Sequence, residues 1–219
     1  MASFTPNISI REAPLQPKQS AILFVDIQNY SLHSEGIIYK ELEKNPISFT
    51  YFQSQIPQNI SNWQKLLKTF RQAKIEVLYT VIENLTFDGR DRSLDYKISG
   101  LNIPKGSFDG KVIDELQPIN DEIVFPKSSS NVFVSTNIHY ILGNLGVKQL
   151  VIVGALTDQC VDSAVRDACD LGYLVTLVSD ACITRTKERH DSSLRNIKGY
   201  CRQRTTDELV AEVENLLKL

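Results

Sequence analysis

Residues 150–166 read LVIVGALTDQCVDSAVR. The other predicted elements of the chain are arranged around this stretch. Residues 150–153 are apolar and mostly β-branched, and a run of that length is typical of a buried strand. Gly154 ends the run, and Thr157 and Asp158 are good N-cap residues for a helix. The pattern therefore predicts a strand, a turn and a helix, with Cys160 in the first helical turn.

Cys160 has two interpretations on this stretch alone. The first turn of a helix favours a negative charge, so a thiol there is expected to have a depressed pKa and to react as a thiolate. Nucleophilic cysteines are commonly built in this way. Free cysteine is also among the most buried residue types, so Cys160 can equally be a small core residue.

Composition limits the classes of protein that the chain can be. Its 219 residues, of which 42% are hydrophobic and 23% charged, suit one soluble α/β domain over residues 1–219. The net charge of −2 argues against nucleic acid as a partner, and no apolar run reaches membrane-spanning length. Residues 1–19 resemble an extended arm rather than a secretory signal. The four cysteines form no C-x-x-C pair and match no zinc pattern. Since no export signal is visible, free thiols and a cytoplasmic location are expected.

Other segments repeat the alternation of strand and helix. Residues 21–26 (AILFVD) predict a central parallel strand that ends in Asp26. Helical spacing of apolar residues over 60–73, followed by a strand over 75–82, completes a β-α-β unit. The remaining strands are predicted at 122–126, 150–153, 173–178 and 203–205. Together these elements predict a three-layer α/β/α fold with a mainly parallel sheet of six strands.

The segments between the strands give weaker patterns. Residues 27–57 are predicted to be mainly loop, and residues 83–121 a substrate-facing or oligomer-forming loop with one short helix at 112–116. Three further helices are predicted to begin at Ser135-Thr136, at Glu188 and at Asp207. Among the apolar residues expected to be buried by the helices are Leu171, after Cys160, and Leu217, near the C-terminus.

Three predicted strands end next to a chemically useful residue, namely Asp26, Lys127 and Cys160. The carboxyl ends of parallel strands lie along one edge of a sheet, where α/β proteins bind ligands, so these side chains can converge. A lysine ammonium would stabilise a thiolate. A carboxylate can accept the thiol proton, return it to a departing amine and then activate water.

With these three residues in place, the sequence resembles the isochorismatase-like cysteine hydrolases. The resemblance extends from Ala21 to the C-terminal helix. The resemblance is carried by the motifs DIQN at 26–29, PK at 126–127 and GALTDQCV at 154–161, with Ser130, Phe133 and Thr136 after the second motif. It implies that Asp26, Lys127 and Cys160 are a catalytic triad. It also implies a cis peptide between Ala155 and Leu156, and an oxyanion hole from the N–H groups of Leu156 and Cys160. Members of the family commonly form dimers or tetramers, so a homodimer or homotetramer is expected, with loops 28–58 and 84–121 as candidate contacts.

The same resemblance separates branches of the family. Nicotinamidases carry a histidine-containing metal site after the second strand, and residues 83–90 (ENLTFDGR) contain no histidine. Although Glu83, Asp88 and Asp91 have oxygen ligands, neither a catalytic metal nor any other cofactor is expected. Isochorismatases proper often lack the cysteine, so Cys160 favours cleavage of a C–N bond. Residues 98–122 look most like ureidoacrylate, biuret and N-carbamoyl amidohydrolases.

The sequence thus predicts a metal-independent cysteine amidohydrolase for a small amide or ureido/carbamoyl substrate, by way of a thioester. A nicotinamidase-like or isochorismatase-type hydrolase, a non-catalytic ligand-binding protein and a redox-responsive thiol protein remain alternatives. Arg90 and Arg92 are candidates for recognising a substrate carboxylate. The other candidate substrate contacts lie beside triad residues or at strand ends: Gln28, Asn29, Asn84, Ser129, Ser130 and Phe133.

Overall fold

A computed structural model describes residues 8–44 and 46–218. Its six strands form one sheet in the order β3-β2-β1-β4-β5-β6, and every pair of neighbours is parallel. This confirms the predicted α/β fold. The strands are β1 (Ser20–Val25), β2 (Glu76–Ile82), β3 (Ile123–Lys127), β4 (Gln149–Ala155), β5 (Leu174–Ile183) and β6 (Cys201–Arg204).

Helices cover both faces of the sheet. On one face, Trp63 and Phe70 of the longest helix pack with Leu209 and Val213 near the C-terminus. On the other, the helices that follow β3, β4 and β5 supply the second core. The helices are α1 (Ile8–Arg11), α2 (Asn29–Leu32), α3 (Ile37–Glu43), α4 (Pro46–Gln72), α5 (Leu94–Ile98), α6 (Val132–Ser135), α7 (Ile138–Asn144), α8 (Asp162–Asp170), α9 (Lys187–Ile197) and α10 (Thr206–Leu216).

The strand order reverses direction at β1 and β4, the two central strands. Open α/β sheets bind ligands at such a point, outside the carboxyl ends of the strands. Gly154 of β4 has φ +126°, and a Cβ there would lie 2.1 Å from the carbonyl oxygen of Val25. Only glycine allows β4 to approach β1 this closely beside Asp26.

The prediction of a loop over residues 27–57 was wrong. Helices α2 and α3 lie in it, and α4 begins at Pro46 and continues through Pro57. Phe52 and Ile56 are buried in the same core as Trp63. Apolar packing along this helix therefore outweighs the local cost of a proline in its interior.

Several predicted boundaries also shift. The segment 83–121 contains the helix α5, and only a 3₁₀ turn at Asp114–Leu116 stands where a helix was predicted. α6 is capped by Asn131, and α7 begins after Asn137 rather than at Ser135-Thr136. Leu171 and Leu217 were predicted to be buried but are exposed, because each follows the last residue of its helix.

The described part of the N-terminal arm is not extended throughout. Residues Ile8–Arg11 form α1 and Pro17–Gln19 a 3₁₀ turn, while residues 1–7 lie outside the described residues. The arm is fixed by hydrogen bonds from the N–H groups of Leu15 and Gln16 to side chains of Glu212 and Gln149. Within the described ranges, no helix combines the length and apolarity needed to cross a bilayer.

Candidate active site

The structure brings Asp26, Lys127 and Cys160 together at the carboxyl edge of the sheet. Asp26 directly follows β1, Lys127 is the last residue of β3, and Cys160 lies in the turn between β4 and α8. Lys127 Nζ lies 2.8 Å from Asp26 Oδ2 and donates to Cys160 Sγ at 3.4 Å. The side chains of Lys127 and Asp26 are both fully buried, at 0% exposure.

Lys127 is well supplied with partners for a buried cation. Nζ also donates to the carbonyl oxygen of Ser129 at 3.0 Å and lies 3.5 Å from the hydroxyl of Tyr96. Burial alone would lower the pKa of Lys127, but the charges of Asp26 and Cys160 and the hydrogen bond to Asp26 raise it above its ordinary value. The lysine therefore keeps its proton at neutral pH.

Asp26 is held by β2. The hydroxyl of Thr80 donates to Asp26 Oδ1 at 2.7 Å, and the Asp26 N–H donates to the Thr80 carbonyl at 3.1 Å. Asp26 has φ +52°, an uncommon conformation for a residue other than glycine. Apart from its ion pair, Oδ2 accepts no hydrogen bond within the described part of the chain. Oδ2 therefore has a lone pair available to accept a proton.

The prediction of a depressed Cys160 pKa was wrong. Burial raises the pKa of the thiol to about 11, the Lys127 charge works against that rise, and the Asp26 charge adds to it. The thiol is therefore protonated at neutral pH. The sequence indicated which charged residues lie near Cys160. It did not indicate how deeply the Cys160 thiol is buried, because that depends on every element that lines the cavity.

Cys160 also lies in a different turn from the one predicted. Thr157–Val161 form a π-helical turn with Leu156 at its N-cap, and α8 starts only at Asp162. Thr157 and Asp158 do not cap α8. Thr157 Oγ1 instead lies 2.9 Å from His190 Nδ1, and Asp158 binds Thr184 and Arg189. The peptide bond that precedes the turn, Ala155–Leu156, is cis.

Cys160 faces a cavity of about 610 Å³. Its walls come from α2, α3, α5, the π-helical turn and the segment after β5. Among the predicted substrate contacts, Ser130 lies in this wall, and its hydroxyl is 3.4 Å from Cys160 Sγ. The lining residues are Tyr30, Ile37, Ile38, Glu41, Ile82, Asp95, Tyr96, Ser99, Gly100, Leu101, Ser130, Leu156, Gln159, Cys160 and Arg185.

The other five predicted contacts are outside that wall, and their side chains have structural partners. Gln28 is fully buried and binds backbone groups at the end of β2 and in the 109–110 loop. Asn29 donates to the carbonyl of residue 108, and Asn84 donates to the side chain of residue 102. Ser129 donates to a neighbouring carbonyl, and Phe133 packs against the ring of residue 173.

The two arginines predicted to recognise a carboxylate are likewise not in the wall. Arg90 is exposed and pairs with Asp88, and Arg92 donates to the carbonyls of Gly89 and Leu101. The arginine that does line the cavity is Arg185, between β5 and α9. Within residues 8–44 and 46–218 its guanidinium has no hydrogen bond or ion pair, and burial lowers its pKa.

Arg185 and the buried tyrosines were missed for identifiable reasons. The sequence predicted the end of β5 at residue 178, five residues before its observed end at Ile183, so Arg185 was not expected at the sheet edge. Tyr96 was expected in an irregular loop, but α5 holds it at 4% exposure in the same cavity lining as Cys160. Burial also raises the pKa of Tyr96, which therefore remains a neutral phenol.

The three acidic residues considered for a metal have other partners. Asp88 pairs with Arg90, Asp91 accepts hydrogen bonds from residues 85 and 86, and Glu83 accepts one from the N–H of residue 106. Over the described ranges, no group of three or more His, Cys, Asp and Glu side chains is arranged to hold a metal ion.

Comparison with known proteins assigns the family. The model of the isochorismatase domain matches residues 20–208. The chain belongs to the isochorismatase family. Ureidoacrylate amidohydrolase RutB of Acinetobacter baylyi is 30% identical over 203 residues, which cover 85% of this chain and 80% of the relative. An isochorismatase family protein of Bacillus subtilis, YddQ, is 35% identical over 172 residues, 78% of this chain and 82% of the relative.

Two solved structures share this fold. A cysteine hydrolase from Pseudomonas syringae has a TM-score of 0.80 at 22% identity, with 93% of this chain and 96% of that one covered. N-carbamoylsarcosine amidase from Thermoplasma acidophilum has a TM-score of 0.70 at 23% identity, covering 86% and 97%. The expectation that the chain is a hydrolase of this family is confirmed.

Proposed function

We propose that this isochorismatase-family hydrolase is a cysteine amidohydrolase that cleaves a C–N bond of a small amide or ureido/carbamoyl substrate. The observation that carries the proposal is the contact of Lys127 Nζ with both Asp26 Oδ2 and Cys160 Sγ beside a cavity. This arrangement combines a nucleophile, a fixed positive charge and a proton acceptor.

In the proposed reaction, Asp26 takes the Sγ proton as the sulfur attacks the carbonyl carbon. The carbonyl oxygen becomes negative and is stabilised by the N–H groups of Leu156 and Cys160, the pair that the family resemblance assigns to the oxyanion hole. The C–N bond then breaks, and Asp26 gives its proton to the departing nitrogen. A thioester on Cys160 remains.

Hydrolysis of the thioester reuses the same groups. Asp26 removes a proton from water, the resulting hydroxide adds to the thioester carbonyl, and the C–S bond breaks as sulfur regains a proton. For a carbamoyl substrate, complete hydrolysis releases the amine, ammonia and carbon dioxide. Lys127 keeps its charge throughout and lowers the pKa of Cys160 whenever sulfur must become a thiolate or leaving group.

The unpaired arginine of the cavity favours an anionic substrate, although the carboxylates of Glu41 and Asp95 also belong to the lining. Arg185 places an unpaired guanidinium in the wall that also contains Cys160, and a partly buried arginine is well suited to a carboxylate. Ureidoacrylate and N-carbamoylsarcosine, named for two of the similar proteins, are both carboxylates. We therefore extend the proposal to ureido and N-carbamoyl acids and assign to Arg185 the role expected of Arg90 or Arg92.

The remaining expectations from the sequence belong to the same proposal. The enzyme acts without a metal or other cofactor, in the cytoplasm and as a homodimer or homotetramer. Large apolar side chains exposed around α5 support self-association, since patches of this kind commonly mark interaction surfaces. They are Phe87, Leu94 and Ile98.

The deciding experiment compares Cys160→Ala with Cys169→Ala on a panel of ureides, N-carbamoyl acids and amides, including nicotinamide. Cys169 is a partly buried thiol of α8 outside the cavity, so its replacement controls for the loss of a cysteine. We expect Cys160→Ala to lower ammonia release at least about a thousand-fold and Cys169→Ala to retain it. Mass spectrometry after acid quenching should detect the thioester on the wild-type enzyme.

Turnover by Cys160→Ala comparable to that of the wild type would overturn the mechanism. No ammonia from any compound of the panel, with the ligands still binding, would instead support a non-catalytic ligand-binding protein.

A further inference from the structure

The cavity at Cys160 is larger than the reacting groups require. A carbamoyl group and a carboxylate are a handful of atoms, whereas a volume of about 610 Å³ is in the range that encloses drug-sized ligands. Much of the space is therefore available for a part of the substrate that does not react.

The lining of that space contains both polar and apolar side chains. Ser130, Gln159 and Arg185 are polar and lie in the wall with Cys160, and the carboxylates of Glu41 and Asp95 line the cavity as well. The remaining lining includes an apolar wall, which is formed by Ile37, Ile38, Ile82, Leu101 and Leu156.

The apolar wall is held in place before any ligand binds. Gly36 lets the chain turn back against α2, since a Cβ there would lie 2.0 Å from the Asn29 carbonyl oxygen. The Ile37 N–H donates to Asp109 Oδ1 at 3.0 Å, and Ile38 packs against the cores on both faces of the sheet. A preformed wall costs a ligand little ordering entropy.

Ile37 nevertheless exposes 52% of its surface in the free protein. An apolar group placed against it removes both its own surface and that of Ile37 from water, which favours binding in proportion to the area covered. A substrate without such a group leaves this surface wet.

We propose that the substrates are N-carbamoyl or ureido carboxylic acids that carry a branched or aromatic apolar substituent. The carbamoyl carbon lies at Cys160, the carboxylate binds Arg185, and the substituent packs on the apolar wall. This inference rests on the proposed function and names its substrate class. On this proposal, specificity for the apolar substituent is determined by Ile37, Ile38 and Leu101.

The test is a homologous series of N-carbamoylglycine, N-carbamoylalanine, N-carbamoylvaline and N-carbamoylleucine, in both enantiomers, with ammonia release as the readout. Each buried methylene is worth roughly four-fold, so kcat/KM for one leucine enantiomer should exceed that for glycine by at least about ten-fold. Ile37→Ser should reduce this leucine-to-glycine ratio at least about three-fold. Because Ile37 is half exposed, the substitution is compatible with folding.

The matched control is Ile10→Ser. Ile10 is exposed to a similar degree, 55%, but lies in α1 outside the cavity, so its replacement should leave the ratio unchanged. Isothermal titration of the series into the Cys160→Ala protein gives the same comparison for binding alone.

The outcomes separate the inference from the function on which it rests. If glycine and leucine derivatives are hydrolysed equally well, or if Ile37→Ser and Ile10→Ser change the ratio alike, the apolar subsite is refuted and the amidohydrolase remains. If no compound of the series releases ammonia or binds, both proposals fail for this class of substrate.

Discussion

Asp26 and Lys127 act on the Cys160 thiol in opposite directions. Burial has the largest effect and raises the pKa of the thiol, Lys127 lowers it, and Asp26 raises it through its charge and a hydrogen bond, which brings the pKa to about 11. Burial and Asp26 together thus keep sulfur protonated at neutral pH, although the proposed mechanism requires Asp26 to remove that proton. These two effects of Asp26 are compatible if the thiol proton moves to Asp26 only as the sulfur attacks the carbonyl carbon of a bound substrate.

Asp26→Asn should therefore separate thiol ionisation from catalysis. The amide keeps one acceptor oxygen, which can face Thr80 or Lys127, and has no charge, so the pKa of Cys160 should fall below 11 and alkylation by iodoacetamide at pH 8 should accelerate. Ammonia release should nevertheless decrease at least about a hundred-fold, because the proton acceptor is lost. The pH profile of alkylation, followed at Cys160 by mass spectrometry, measures the shift.

In the wild type, alkylation should increase with pH up to about pH 11 without a plateau near neutrality, since the raised pKa leaves the thiol protonated below it. Cys160→Ala supplies the background from the other cysteines. Slower alkylation of Asp26→Asn would contradict the assigned direction of the Asp26 effect.

Among the elements, the π-helical turn depends on the segment that links β5 to α9. Asp158 of the turn accepts hydrogen bonds from the Thr184 hydroxyl and from Arg189 Nε, the latter at 2.5 Å. These two residues bracket Arg185 in the sequence. One carboxylate thus connects the turn that carries Cys160 with the segment that carries the cavity arginine.

Asp158→Ala should loosen both elements. We expect KM for N-carbamoyl acids to rise at least about five-fold, whereas KM for a neutral amide should change less. The turn that carries Cys160 stays tied to α9 through the contacts of Thr157 with His190 and Ser193, while the segment that carries Arg185 loses a support. The free energy of unfolding should fall by about 1.5–3 kcal/mol for the lost charged hydrogen bonds. Steady-state kinetics and urea unfolding measure the two effects.

The control is Asp191→Ala in α9, the helix that also carries Arg189. It removes a partly exposed carboxylate whose ion pair with Lys187 does not reach the turn. Equal changes in KM for acids and neutral amides in Asp158→Ala would reduce Asp158 to a purely structural residue.

An element could be predicted from the sequence where nearby residues alone determine it, and was missed where contacts with distant residues determine it. Strands β1 and β4 are buried on both faces, so their apolar runs were sufficient to place Asp26 and Cys160 at the sheet edge. β5 continues past Ser179 and Asp180, which resemble a turn in the sequence. Asp180 is accommodated there because it accepts two hydrogen bonds from Thr206, and this long-range contact cannot be read from local sequence.

The candidate site lies at one edge of the sheet, and a separate polar cluster holds distant parts of the chain together elsewhere in the fold. Arg202 of β6 is only 2% exposed, donates to Glu212 of α10 at 3.0 and 2.9 Å, and donates to Thr176 of β5 at 2.7 Å. Glu212 also accepts the Leu15 N–H of the N-terminal arm at 2.8 Å. The arm, β5, β6 and α10 therefore meet at one buried ion pair.

Glu212→Ala should destabilise the protein without changing its chemistry. A buried charge that loses its partner costs about 3–5 kcal/mol, which corresponds to a decrease in Tm of about 10 °C for a chain of this size. Turnover per folded molecule at 20 °C should stay unchanged, since neither Glu212 nor Arg202 lines the cavity. Glu214→Ala, an exposed glutamate of the same helix, is the matched control and should leave Tm nearly unaffected. Equal destabilisation by the two substitutions would mean that the general charge of α10, and not the buried pair with Arg202, stabilises this end of the fold.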